Sequence, residues 1–222
     1  MNYPLYVIFI LAFVQSFAIQ FCPSINKFLL KVIKQVLPSQ KAQQFYSEFQ
    51  RKSFHLLGLA FVIVIGEYPS QHIQIAYYLC GGSIVILLLD ILRVHFNIRI
   101  NSPFFRSYEI DHVTGVAPLL LGISVAIYLN SSTALICLFV GDSAAAIFGI
   151  LFGKHKIYQK KSIEGCIGFI GAVFIVIYQQ SGATNAIISG TVGCILELFG
   201  GKFDNFLIPV GVSLFMKSIG LE

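Results

Sequence analysis

An aspartate, Asp142, stands inside the apolar run "ICLFVGDSAAAIFGILFG", and the chain then collects Lys154, Lys156, Lys160 and Lys161 before closing on Ser162 and Glu164. An ionised carboxylate in hydrocarbon costs about 3 kcal/mol or more, so an acid in such a place faces a polar cavity and marks function. Acids and lysines together suit phosphates. Cations hold the phosphate oxygens, and Mg²⁺ held by one or two carboxylates bridges and neutralises a polyphosphate. A nucleotide site is the reading that these residue types support.

The elements that must position these groups are membrane spans. Hydrophobic residues make up 56% of the 222 residues against 11% charged, and the mean hydropathy is +0.81, which excludes a soluble domain. Apolar runs at 3–21, 54–66, 72–92, 113–129, 133–153, 163–179, 185–199 and 206–219 predict an all-α, polytopic transmembrane helix bundle of about 7–8 spans with short loops. The runs near 54 and 206 are short, and tilt or incomplete crossing lowers the count. The first run has no basic n-region and no small-residue cleavage site, so it reads as a span rather than a signal peptide. After it, "SINKFLLKVIKQVLP" places Ile25, Phe28, Leu29, Val32, Ile33, Val36 and Leu37 on one helical face and Lys27, Lys31 and Lys34 on the other. This is either a helix lying along the membrane surface or an ordinary packing helix between spans. The five cysteines have neither disulfide nor zinc spacing. Two regions are expected: 1–50, the first span with the basic amphipathic helix, and 51–222, a membrane-embedded catalytic domain.

Lysine and arginine cluster in alternate loops, before the second span, after the third and after the fifth, whereas the loops near "GEYPSQ", "LNSS" and "QQSGATN" carry none. The basic face is therefore expected to be cytoplasmic, with the N-terminus outside. The net charge of +5 reads as topology plus anion binding, with no need for nucleic acid. The same alternation brings the noteworthy polar residues to one face: Arg51, Lys52 and His55; Asp90 and Arg93; Thr114 and Gly115; then Lys161, Ser162, Glu164, Glu197, Asp204 and Asn205. Asp142 alone lies deeper, so a cavity must reach down to it or the helix must break near Gly141. Plainer readings exist for several of these groups. Lysines beside spans are topology signals, Gly149 and Gly153 at GxxxG spacing form a packing seam, and Asp90 with Arg93 at i, i+3 forms a structural ion pair. For Asp142 and Glu164 the plain reading offers only an unassigned partner, and carboxylates in or just inside apolar runs are expensive.

The segments "RKSFHLLG", "DILR", "TGVAPLLLG", "GDSAAAIFGILFGKHK" and "KKSIEG", then Glu197 and "DNFLIP", resemble in order the membrane polyprenol and lipid kinases: dolichol kinase, phytol and farnesol kinase, and CTP-dependent diacylglycerol kinase. The resemblance covers about residues 51–210 and implies transfer of the γ-phosphoryl group of CTP to a membrane lipid hydroxyl, with a divalent cation, Mg²⁺. It implies a membrane lipid and a nucleotide as partners and a cytoplasm-facing site. Under it, Asp142, Glu164, His55 and Asp204 are the candidate catalytic residues, and Asp142, Glu164 and Glu197 the candidate metal ligands. Arg51, Lys52, Lys154, Lys161, Ser162, Gly149 and Gly153 are the candidates for the nucleotide phosphates, with Asp90, Arg93, Thr114 and Asn205 as further polar site residues. The division of labour among the acids stays open.

The phosphatidate cytidylyltransferases share a similar acid, glycine-lysine and "K(S/T)xEG" arrangement, and they are the alternative. Their paired Asp-Arg after a Lys-Asp is missing, and "DNFLIP" after Glu197 fits the kinases better. A non-enzymatic transporter would also keep intramembrane acids, but it leaves the crowding of motifs on one face without a reason.

Overall fold

The computed structural model describes residues 14, 22–66, 69–100, 107–159 and 161–221. The first apolar run, apart from Val14, lies outside the described residues, as do Arg106 and Lys160.

The other apolar runs fall on helices. Pro23–Val36 forms α1, entered through Pro23 at a first-turn position where its missing N–H costs nothing. Ser39–Gly66 forms α2, polar in its first half and apolar in its second, and it passes the expected division at residues 50 and 51 in one unbroken helix. His72–His95 is α3 and Val116–Tyr128 is α4. Ser132–Ile136 is α5, capped by the Ser131 hydroxyl accepting from Ala134 N. It runs through a π-helical turn, Cys137–Gly141, into α6, Asp142–Leu151. A short antiparallel hairpin follows, β1 (Lys156–Tyr158) with β2 (Lys161–Ser162). Ile163–Gly200 is α7 and Asp204–Ser218 is α8.

The "QQSGATN" segment, read from the sequence as a loop between two spans, is instead a one-residue reversal inside α7. Gly182 takes φ +80, ψ 174, a conformation open to glycine at little cost, with nothing within 4 Å of where a Cβ would stand. The two arms on either side fold back on each other, so that a Cβ on Gly190 would lie 3.6 Å from Ile170 and 3.5 Å from Val173.

Among the described residues, three stretches are long and apolar enough to cross a membrane: His72–His95, Ser132–Leu151 and Ile163–Ser218, the last containing the reversal and α8. These apolar stretches make the chain an all-α integral membrane protein. Length alone does not give seven or eight spans. The run at 113–129 yields only the 13 residues of α4, about 20 Å of helix against a hydrocarbon core of about 30 Å.

The core forms where α5, the π-helical turn, α7 and α8 meet, around Leu138, Phe169, Val173, Ile177, Ile208 and Val212. Phe169, fully buried, is its wedge. A Cβ on Gly141 would stand 2.6 Å from its ring and one on Gly193 2.9 Å from it, so only glycine at both places lets these segments close on the ring. That contact fixes the residue immediately before Asp142.

Candidate active site

The π-helical turn inserts an extra residue into the helical winding just ahead of Asp142, a feature found often at functional sites. Ser143 Oγ donates to Phe139 O at 2.7 Å across it. Asp142 thus begins a new helix at the floor of a cavity of about 820 Å³. From the sequence, either a break near Gly141 or a cavity reaching Asp142 was required; the helix changes its winding there and the cavity reaches the acid.

Asp142 is 4% exposed, and its Oδ2 accepts from Lys52 Nζ, on the middle of α2. His55, one turn further along α2, places Nδ1 3.7 Å from the same oxygen, too far for a hydrogen bond. Its ring stands edge-on to Phe139 and is held by the Leu138 backbone, and its Nδ1 has no hydrogen-bond partner among the described residues. Of these three residues only Asp142 lines the cavity. Lys52 and His55 lie behind the acid.

The opposite acids arrive from α7 and α8. Lys161, on β2, donates to Glu197 Oε1 and stands 3.9 Å from Asp204 Oδ2. Burial works against its charge, but the carboxylates around it, Glu197 foremost with Asp142 and Asp204, together outweigh this and raise the Lys161 pKa above the ordinary lysine value. Asp204 opens α8 with its Oδ1 accepting from Asn205 N at 2.8 Å. Glu197, Asp204 and Lys161 line the cavity with Asp142, and so do Arg51, paired to Glu48 at 2.6 Å, and Ser162. The Ser162 hydroxyl caps α7 by accepting from Gly165 N at 3.2 Å. A Cβ on Gly149 would stand 3.6 Å from that hydroxyl and one on Gly153 2.8 Å from it, so the two glycines let α6 close on the start of α7. Gly149 reaches the cavity wall as well.

Other expected site residues lie elsewhere. Glu164 accepts from His155 N with both oxygens at 3.3 Å and pairs with His155 Nδ1 at 2.7 Å, so it ties down the turn before the hairpin and does not line the cavity. Lys154 is exposed and away from the cavity wall. Asp90, Arg93 and Thr114 form a separate buried knot. Asp90 accepts from Arg93 Nε at 2.9 Å and from the Thr114 amide at 2.8 Å, while Arg93 also donates to the carbonyls of Glu109, Ile110 and His112. Glu109, absent from the sequence reading, completes the knot by accepting from Gly115 N at 3.1 Å at the start of α4. A Cβ on Gly115 would lie 3.8 Å from Asn205 Nδ2, so the knot abuts the start of α8.

Lys156 and Lys202 line the cavity and were not singled out for the site from the sequence; neither were Gln44, Ser47 and Glu48 on the first half of α2. A lysine two places before the "DN" of α8 was the available signal for Lys202. Among the described residues no group of three or more histidine, cysteine, aspartate or glutamate side chains is arranged to hold a metal by itself. Asp142, Glu197 and Asp204 nevertheless offer hard carboxylate oxygens around one cavity, and Mg²⁺ binds by one or two carboxylates with the remaining positions left to phosphate and water.

The chain is similar to dolichol kinase sec59 of Schizosaccharomyces pombe, 38% identical over 192 residues, 73% of this chain and 38% of that protein. It is 26% identical over 227 residues to CTP-dependent diacylglycerol kinase 1 of Eremothecium gossypii, covering 81% of this chain and 71% of that one. Its homologues are lipid kinases. Dolichol kinase of Saccharomyces cerevisiae is a third, 28% identical over 193 residues, 77% of this chain and 37% of that protein. The chain thus spans less than two fifths of the length of these two dolichol kinases. No family model and no solved structure matches it. Among lipid kinases, a cavity walled by both carboxylates and lysines is chemically apt, since a triphosphate and its counter-cation need both.

Proposed function

We propose that this chain catalyses CTP-dependent phosphorylation of a membrane lipid alcohol at the Asp142–Lys161 cavity, opening to the cytoplasm. One observation carries the reading. Lys161 sits between Glu197 and Asp204 at the wall of the cavity whose floor is Asp142, so cations for the phosphates and oxygens for a metal share one space.

Phosphoryl transfer asks mainly for positioning and charge neutralisation. Lys161, Lys156, Lys202 and Arg51 are the cations placed to hold a triphosphate. One or two of Asp142, Glu197 and Asp204 would hold Mg²⁺, which when bound supplies charge neutralisation to the phosphates. Asp142 is the acid at the cavity floor and the candidate to accept the alcohol proton, with Lys52 paired to it from behind. Lys52 and His55 act through Asp142. Glu164 orients the hairpin through His155, which brings Lys161 to its place.

The names of the homologues support CTP as donor and a lipid as acceptor. The basic loops favour the cytoplasmic side for the cavity, and the further spans beyond the three long stretches belong to the same proposal. The test is to incubate the purified chain with CTP labelled at the γ or the α position, a panel of lipid alcohols, and phosphatidate. Label from the γ position should appear in a phosphorylated lipid. Label from the α position in a CDP-lipid, with release of pyrophosphate, would overturn the kinase and establish a cytidylyltransferase.

A further inference from the structure

The helix α1 presents three distinct faces. Asn26, Leu29, Leu30, Ile33 and Leu37 are half-buried, and the side of the helix they define meets α2, where Tyr46 Oη donates to Asn26 Oδ1 at 2.5 Å. Beside that side runs an exposed apolar stripe, Ile25, Phe28, Val32 and Val36, with Phe28 65% and Val36 79% exposed. Lys27, Lys31 and Lys34 are exposed on the far side of the helix from this stripe. One face of the helix therefore packs against α2, while a second stays apolar and exposed and a third carries the lysines.

The apolar stripe needs a cover that its own chain neighbour α2 does not supply. Water is a poor one for four large apolar side chains in line. The hydrocarbon interior is excluded, because 14 residues reach only about 21 Å and carry three lysines. The remaining environment is the boundary between headgroups and acyl chains, where one face meets hydrocarbon and the cations meet phosphate. Three lysines and no acid on the helix favour an anionic leaflet.

The first half of α2, to which α1 is clamped, supplies Gln44, Ser47, Glu48 and Arg51 to the cavity wall. We propose that α1 is an interfacial anchor, its Ile25–Phe28–Val32–Val36 stripe seated in an anionic leaflet with Lys27, Lys31 and Lys34 on the lipid headgroups, and that it holds this wall of the cavity in place. The anchoring stands on the geometry of α1 alone, whereas its consequence for the cavity rests on the proposed nucleotide site.

The chain contains no tryptophan, so Phe28→Trp and Lys31→Trp each introduce a single reporter into it. In vesicles containing phosphatidylserine, the tryptophan at 28 should emit to the blue and be quenched by lipids brominated on the acyl chain, while the tryptophan at 31 should be quenched by aqueous acrylamide. Adding Lys27→Glu, Lys31→Glu and Lys34→Glu to the Phe28→Trp chain should reduce the brominated-lipid quenching several-fold. Acrylamide quenching at 28 equal to that at 31, or protection of 28 from both quenchers, would overturn the anchor. Undiminished brominated-lipid quenching in the triple variant would overturn the role of the lysines. Neither readout depends on catalysis. For the consequence, the triple variant should raise the apparent nucleotide KM several-fold in anionic vesicles, and an unchanged KM would separate α1 from the cavity.

Discussion

Lys52 and Asp142, ninety positions apart in sequence, form an ion pair buried at the base of the cavity, and of the two only Asp142 lines it. Removing one member of such a pair strands the other charge, at a cost of about 3–5 kcal/mol. Asp142→Asn should therefore abolish lipid phosphorylation and also lower the thermal midpoint in detergent. Lys52→Met in the same chain should recover most of the lost stability and none of the activity. Recovery of turnover in the double variant, or activity of Asp142→Asn within a few-fold of the parent, would make Asp142 a structural residue only.

Lys161 is the cation that reaches both Glu197 and Asp204. Lys161→Ala should raise the apparent KM for the nucleotide by about ten- to a hundredfold, the range of one lost charge-assisted hydrogen bond. Steady-state titration of CTP reads this directly, and an unchanged KM would leave Lys161 as a partner of the two acids alone.

The pH response of that lysine has a definite sign. Its pKa is raised in the folded chain, so its favourable contribution is complete below the ordinary lysine value and fades only as pH climbs through the higher folded value. Nucleotide affinity should accordingly show no loss assignable to Lys161 between about pH 7 and about pH 9. A fall in affinity in that window, abolished by Lys161→Ala, would contradict the raised value.

Gly122 on α4 lies where a Cβ would stand 2.7 Å from Pro209 Cγ and 3.0 Å from Asn205 O. Gly122→Ala should push the start of α8 away and cost about 1–3 kcal/mol. Because Asp204 and Asn205 sit on that turn, kcat should fall more than stability explains. Gly81→Ala, with nothing within 4 Å of the new methyl, is the control and should be neutral or stabilise by up to about 1 kcal/mol. Equal effects of the two substitutions would refute the close approach of α4 and α8.

Arg93 donates to three carbonyls of residues 109, 110 and 112 at 2.5–2.9 Å while pairing with Asp90. A lysine cannot reproduce that fork. Arg93→Lys should lower stability by about 2–4 kcal/mol, read by thermal unfolding, through loss of charged hydrogen bonds inside the fold. Retention of the parent midpoint would mean that the segment from 107 to 114 is held by other contacts.

Much of this molecule was legible in its residues because the signals are local. An apolar run lies on every helix from α2 onward, though 133–153 holds both α5 and α6 and two runs share α7; the three-and-four spacing of Ile25, Phe28, Val32 and Val36 against the lysines gave α1 its character, and the solvation cost of a carboxylate in "FVGDSA" singled out Asp142. Partnership was not local. Lys52 beside Asp142, Glu164 on His155 rather than in the cavity, Lys202 inside the wall, and Glu109 closing the Arg93 knot all depend on which helices approach one another. That is decided where Gly141 and Gly193 admit the Phe169 ring and where Gly182 turns α7 back on itself. A charge acts over a few ångströms of space, and only the packed chain says which charges share that space.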